Sequence, residues 1–253
     1  MECMQRITEP VLGFEVDLFN FEEALAFAHL HLKENKGLHI ITINPEMIAL
    51  GSKNLEYGRV LNDADLCIPD GVGLKIALKF KGITQEAIPG VEFAKKLIAI
   101  CALEGYTIGL LGAKEEILNC AANNLRKEFD NLNITYLHNG YFDSQQESII
   151  CEEIKNVAPR VLLVALGVPK QELLISKLKK DMPNTIFIGV GGSFDVWSGA
   201  VKRAPEVYQK LGLEWLYRAI KEPARFKRIF PALPLFLIRV IMEAVHESWV
   251  KLR

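Results

Sequence analysis

The chain has 253 residues, half of them hydrophobic, with 30 Lys+Arg against 31 Asp+Glu. That length and apolar content suit one large α/β domain, or a domain with an appendage, and exclude a disordered or low-complexity chain. The charge is uneven: residues 196–253 carry 11 Lys+Arg against 5 Asp+Glu, and the preceding 195 carry 19 against 26, an acidic body with a basic tail suited to an anionic partner.

The N-terminal stretch "MECMQRITEPVLGFEVDLF" holds acids and no continuous apolar segment, so no signal peptide is expected. A helix follows over 21–35, then a strand over "LHIITIN" (38–44) and a helix over 45–58. The run "ADLCIPD" (64–70) leads into a helix over 72–81, and another helix is expected over 91–104. Further units pair "YTIGLLGA" (106–113) with a helix over 114–130, and "ITYLHNGYF" (134–142) with one over 144–157. The last pairs "VLLVALGVP" (161–169) with a helix over 169–181, and "TIFIGVGGSFD" (185–195) closes the series. Several runs are apolar on consecutive residues, as in strands covered on both faces. The alternation predicts a Rossmann-like α/β fold, a mostly parallel sheet with helices on both faces.

After Asp195 the pattern turns helical, which places a boundary near 196–204. The expected division is a catalytic core over 1–200 and a helical, basic and apolar C-terminal appendage over 201–253. No uncharged apolar stretch reaches 18 residues, so no spanning helix is expected. Five scattered cysteines with no C-x-x-C pair fit reduced thiols of a cytosolic protein. His29 and His31, two apart, fall on different helix faces and make no ligand pair.

In open parallel sheets, ligands bind beyond the carboxyl ends of the strands. Here those ends read "TIN", "PDG", "GLLGA", "HNGYF", "GVPKQE" and "GVGGSFD", and glycine at such corners lets backbone N–H groups approach a phosphate or sugar. In "LCIPDGVG" (67–74), Asp70 sits alone on a Pro-Gly corner between apolar segments; it is either a turn residue or a working acid at the sheet rim. "GLLGAKEE" (109–116) holds half of a dinucleotide fingerprint in Gly109 and Gly112, and reads equally as a tight strand–helix turn. Asp195, after the Gly189, Gly191 and Gly192 cluster, suits ribose hydroxyls. Tyr141 offers a face for a base to stack on, or serves as a core aromatic. Asp63 and Asp65 form a D-x-D pair, a metal-binding arrangement in many glycosyltransferases, but they precede their strand and belong at its far end.

In the tail, Arg218, Lys221, Arg225, Lys227 and Arg228 stand among Trp215, Tyr217 and Phe226. Arginine forks suit phosphate oxygens. The next stretch, "FPALPLFLIRVIMEAV", is apolar but interrupted. A basic segment beside an amphipathic one reads as attachment to an anionic membrane surface in preference to nucleic acid. Burial against the body or in a homo-oligomer interface stays open.

The blocks "TINPEMI", "ADLCIPDGVG", "HNGYF", "ALGVPKQE", "GVGGSFDVWSGAVKRAPE" and "LGLEWLYRAIKEPARFKR", in that order and spacing, resemble the WecG/TagA/CpsF glycosyltransferases over about residues 8–230. The resemblance implies a metal-independent, inverting transferase with no cofactor. It would carry an N-acetylmannosamine-type sugar from a UDP donor to polyprenyl-diphosphate-linked N-acetylglucosamine, in cell-surface polymer synthesis such as that of teichoic acid. Its place would be the inner face of the cell membrane, as a peripheral protein. Carried over by position, Asp70 is the catalytic base, and Thr42 and Asn44 line the sugar and acceptor pocket. Gln171 is a donor-side contact, and Gly140, Tyr141 and Asp195 surround the uridine, where the strand-end glycines Gly112 and Gly191 are also expected to meet the nucleotide. Arg218, Arg225 and Arg228 close on the diphosphates. One departure stands out: the family pattern E-R-[IV]-x-G reads "EAIPG" here, with Ala87 in place of the arginine. That change keeps open a sugar-nucleotide-binding homologue with weakened catalysis. The half fingerprint keeps open an NAD(P)-dependent dehydrogenase.

Overall fold

A computed structural model describes residues 6–202, 204, 205, 208, 217 and 233–245. Six parallel strands form the central sheet: β3 (Leu38–Ile43), β4 (Leu66–Pro69), β5 (Thr107–Gly112), β6 (Asn133–His138), β7 (Val161–Ala165) and β8 (Ile186–Gly189), in the order β4-β3-β8-β7-β5-β6. The expected Rossmann-like α/β architecture is observed. Consecutive residues of β7 serve both faces. Val161, Leu163 and Ala165 join one apolar cluster with α1 (Phe21–Lys33), α5 (Gly90–Glu104) and α6 (Glu115–Glu128). Leu162 and Val164 join another with α7 (Ser144–Val157) and α8 (Lys170–Leu178). Burial on both sides is why these runs carry no polar alternation.

Three local departures from the sequence reading have physical causes. Residues 45–62 form two helices, α2 (Pro45–Gly51) and α3 (Leu55–Asn62), where one was expected over 45–58. The Asn54 side chain accepts the Tyr57 N–H, and so restarts the helix as an N-cap. Gly51 and Gly58 let the two pieces meet, since a Cβ on Gly58 would stand 2.8 Å from the Gly51 carbonyl oxygen. The run over 185–195 is a strand only to Gly189, and its end forms the short helix α9 (Ser193–Trp197). Residues 8–17, to which no element was assigned, form an antiparallel hairpin, β1 (Thr8–Val11) and β2 (Phe14–Asp17). Leu12 and Gly13 at its turn both take positive φ, 52° and 83°, the backbone that two-residue hairpins use.

The hairpin packs with α2, α3, α4 (Val72–Phe80) and the helix over 233–245 in one apolar cluster, in which Phe236 and Val240 are fully buried. Polar contacts add to this. Glu243 Oε2 accepts the Leu12 N–H at 3.2 Å, and the buried Lys81 ammonium lies 3.4 Å from Glu9 and 3.6 Å from Glu243. The C-terminal helix therefore shares a core with the first 80 residues. Among the described residues, no helix is long and apolar enough to cross a membrane.

Candidate active site

A cleft of about 600 Å³ opens at the carboxyl ends of the strands, where a parallel sheet places its ligands. Thr42 near the end of β3, Asn44, Asp70, Tyr141, Gln171, Gly191 and Asp195 all line it. Seven of the twelve residues singled out from sequence thus converge on one space. Gly112 and Gly140 stand behind the lining: a Cβ on Gly112 would collide with the Ala165 carbonyl, and one on Gly140 would come within 3.0 Å of the Gly112 Cα. They let the β5, β6 and β7 ends approach. Gly109 is likewise filled from outside by Leu162 and Pro159, so packing accounts for both glycines of the half fingerprint. Arg218, Arg225 and Arg228 lie outside the described residues.

Asp70 is held by its backbone. Its N–H donates to the Ile43 carbonyl at 2.8 Å, one rung past the end of β4, and the Pro69 carbonyl accepts the Ile88 N–H at 2.8 Å. The next residue, Gly71, takes φ +83° and turns the chain into α4, a conformation that strains any side chain bearing a Cβ. The half-buried acid is therefore fixed at the cleft wall. Ile88 sits beside this corner, so Ala87 is one residue from it, and Pro89 and Gly90 line the cleft. Thr42 touches the same segment: a Cβ on Gly90 would lie 2.9 Å from its methyl group.

Asn44 has a structural task. Its side-chain oxygen accepts the Glu46 and Met47 N–H groups at 3.0 and 3.1 Å and caps α2. By contrast, α5 and α6 begin at the cleft with no side-chain cap, which leaves first-turn N–H groups and the positive end of each helix dipole for an anion. Lys114 precedes α6 and is the one cation among the described lining residues of a cleft that Glu46, Asp70 and Asp195 also line. Sequence reading passed over it because one lysine before a helix reads as a solvated charge.

Gln171 is buried at 4% exposure, and the adjacent Glu172 at 1%. Gln171 Oε1 accepts N–H groups from Gly167 and Gly191, both at 3.2 Å, and its Nε2 donates to Glu172 Oε1 at 2.6 Å. The second N–H of that amide is not used by these bonds. The Tyr57 hydroxyl donates to Glu172 Oε2 at 3.4 Å, and burial pushes the Glu172 carboxyl up to about 7.

Asp63 and Asp65 lie at the far end of the sheet, as their place in sequence indicated. Asp65 Oδ2 accepts the His39 N–H at 2.7 Å and pairs with Lys179 at 2.6 Å. No group of three or more His, Cys, Asp or Glu side chains among the described residues is placed to hold a metal ion.

A parallel α/β sheet with a held acid, a lysine, glycine loops and uncapped helix starts at one rim defines the Rossmann-like α/β class, with the cleft where such sheets bind ligands. The description "Glycosyl transferase WecG/TagA/CpsF family" matches residues 9–249, and the chain belongs to that family. It is similar to the N-acetylglucosaminyldiphosphoundecaprenol N-acetyl-beta-D-mannosaminyltransferase of Bacillus spizizenii, 32% identical over 231 residues that cover 90% of this chain and 89% of the relative. The Staphylococcus aureus (strain MW2) protein of the same name is 32% identical over 209 residues, 82% of this chain and 81% of that one.

Proposed function

We propose that the chain transfers an N-acetylmannosaminyl group from UDP to N-acetylglucosamine carried on a polyprenyl diphosphate, with inversion and with Asp70 as general base. The observation that carries this is the Asp70 corner: a carboxylate at the cleft wall, clamped by two backbone hydrogen bonds and a positive-φ glycine. In the reaction, the acceptor hydroxyl oxygen bonds to the anomeric carbon as Asp70 takes the hydroxyl proton. The bond from that carbon to the diphosphate breaks on the opposite face, and its electron pair leaves with UDP. Lys114 and the open starts of α5 and α6 receive the growing negative charge. Asp195 takes the ribose, Tyr141 the uracil, and Thr42 and the second amide N–H of Gln171 the sugars. The names of the relatives supply the acceptor and the transferred sugar.

The polyprenyl chain stays in a bilayer, so the cleft must reach a membrane surface. In support, the C-terminal helix turns Leu235, Ile238, Met242 and Val245 to solvent, each more than half exposed, opposite its buried Phe236 and Val240. Four large apolar side chains on one outward stripe suit shallow insertion at the bilayer interface. Leu233 of the same helix reaches the active-site corner, for a Cβ on Gly73 would lie 3.0 Å from it. The tail arginines are assigned to the diphosphates and the anionic membrane surface.

The test is UDP release from UDP-N-acetylmannosamine with and without a short-chain lipid-linked N-acetylglucosamine. Release only with the acceptor supports transfer, and UDP binding without turnover supports a binding protein that has lost catalysis. The reaction is expected to proceed in excess EDTA, and a collapse of rate on chelation would return Asp63 and Asp65 to consideration.

A further inference from the structure

Two loops form the cleft floor beyond β7 and β8, one over 166–169 and the other over 190–192. Among the described residues, the last backbone rung between these strands is the Val190 N–H on the Val164 carbonyl, at 2.8 Å. Past that rung the loops are joined by a side chain. Gln171 Oε1 accepts one N–H from each, Gly167 and Gly191. Both glycines have positive φ, 74° and 49°, and a Cβ on either would meet nothing within 4 Å, so both backbones border open space. One amide oxygen thus replaces the missing rung.

An amide has two ends of nearly equal shape, and only one serves. Turned over, Gln171 would set its NH₂ against two N–H donors, leaving all of them unpaired at the floor of the cleft. The other end is fixed by Glu172, whose Oε1 accepts from Gln171 Nε2 at 2.6 Å. Room for this pair comes from Gly189, where a Cβ would stand 2.5 Å from Gln171 Nε2 and 2.9 Å from Glu172 Oε1. Tyr57, itself fully buried, closes the carboxyl from α3.

We propose that Glu172 is a positioning residue: it locks the Gln171 amide with its oxygen toward Gly167 and Gly191, and so holds the two loop backbones in the spacing the donor requires. Glu172 has no contact with substrate in this scheme and acts through Gln171. The donor part of the proposal rests on the transferase reading above; the loop-spacing part does not.

Three variants test it. Glu172→Met removes the acceptor at similar length, Glu172→Asp withdraws it while keeping the charge, and Glu172→Gln restores an oxygen that can accept from Gln171. Amide hydrogen exchange is read on the ligand-free protein, and KM for the UDP-sugar and kcat are read separately. Glu172→Met is expected to speed exchange at Gly167 and Gly191 and to raise donor KM, each by about tenfold, the loss of one buried hydrogen bond. Core amides such as Phe187 and kcat should change far less, and Glu172→Gln should recover most of the loss. Should Glu172→Met not fold, Glu172→Asp carries the same comparison. Unchanged exchange at both glycines with unchanged KM overturns the proposal. A uniform rise in exchange across the sheet, with no recovery in Glu172→Gln, also overturns it, because the acid would then be only part of the core. If Gly167 and Gly191 respond but the wild type transfers no sugar, the loop lock stands and the transferase reading fails.

Discussion

In the proposed transfer the acceptor proton goes to a single carboxylate, that of Asp70, whose corner is held by two backbone hydrogen bonds. Asp70→Asn keeps the corner, its hydrogen bonds and nearly its shape, so the variant should fold and bind UDP normally. Turnover should fall on the order of 10²-fold or more, as removal of a general base does; an unchanged kcat would remove Asp70 from the mechanism. Glu172 gives a second prediction at this scale. Burial raises its carboxyl to about 7, so between the ordinary carboxylate range and pH 7 the folded state holds a proton that the unfolded chain has released. Its contribution to stability is present at low pH and lost as pH rises through 7, by up to about 3 kcal/mol. Denaturant unfolding at pH 5.5 and pH 8 should show that loss in the wild type and a smaller one in Glu172→Gln. Asp17, also raised by burial, is common to both proteins and drops out of the comparison. The place of Asp70 at the cleft was legible in sequence, because the acid between Pro69 and Gly71 follows the carboxyl end of an apolar run. Glu172 and Lys114 were not. Each follows a strand–helix turn where a charge normally faces water, and only the packing of β8 and α3 around Glu172 changes its meaning.

The C-terminal helix shows why whole elements were harder to read. Apart from Arg239 and Glu243 its sequence over 233–245 has no charge, so apolar periodicity alone could not separate an inward face from an outward one. Pro234 lies within the described helix over 233–245 and does not interrupt it. Packing makes the separation, with Phe236 and Val240 inside and Leu235, Ile238, Met242 and Val245 outside. The two faces should respond oppositely. Phe236→Ala should cost about 3–5 kcal/mol in denaturant unfolding, as for a buried aromatic in a tight core. The pair Leu235→Asp and Ile238→Asp should leave stability within about 0.5 kcal/mol, as for exposed positions, yet abolish sedimentation with anionic vesicles. Wild-type sedimentation in that double variant would show that the stripe does not touch lipid. The hairpin over 8–17 escaped sequence reading for a related reason: its strands have four residues each, one of them Pro10, too short for alternation to register. Strands such as β4, β7 and β8 were legible because burial on both faces leaves unbroken apolar runs.

In the molecule as a whole, the sheet order places the last of the described strands in the middle. β8 pairs with β3 on one side and β7 on the other, so Ile186 meets Leu38 across most of the chain's length. Until residue 189 has been made, β4-β3 and β7-β5-β6 are separate ribbons, each with an apolar edge that only β8 can cover. Half of the cleft lies on each ribbon: Thr42 and Asp70 with one, Lys114, Tyr141 and Gly167 with the other. A chain ending at residue 184 should therefore show no cooperative unfolding transition by circular dichroism, although it contains five of the six sheet strands. The consequence reaches into synthesis. A chain still emerging from the ribosome holds two unfinished edges open through most of its translation, and long-range parallel pairing of this kind closes slowly. Such a protein depends on whatever shields β3 and β7 in the interval, and substitutions in Ile186–Gly189 should reduce its yield in cells well before they alter the folded enzyme.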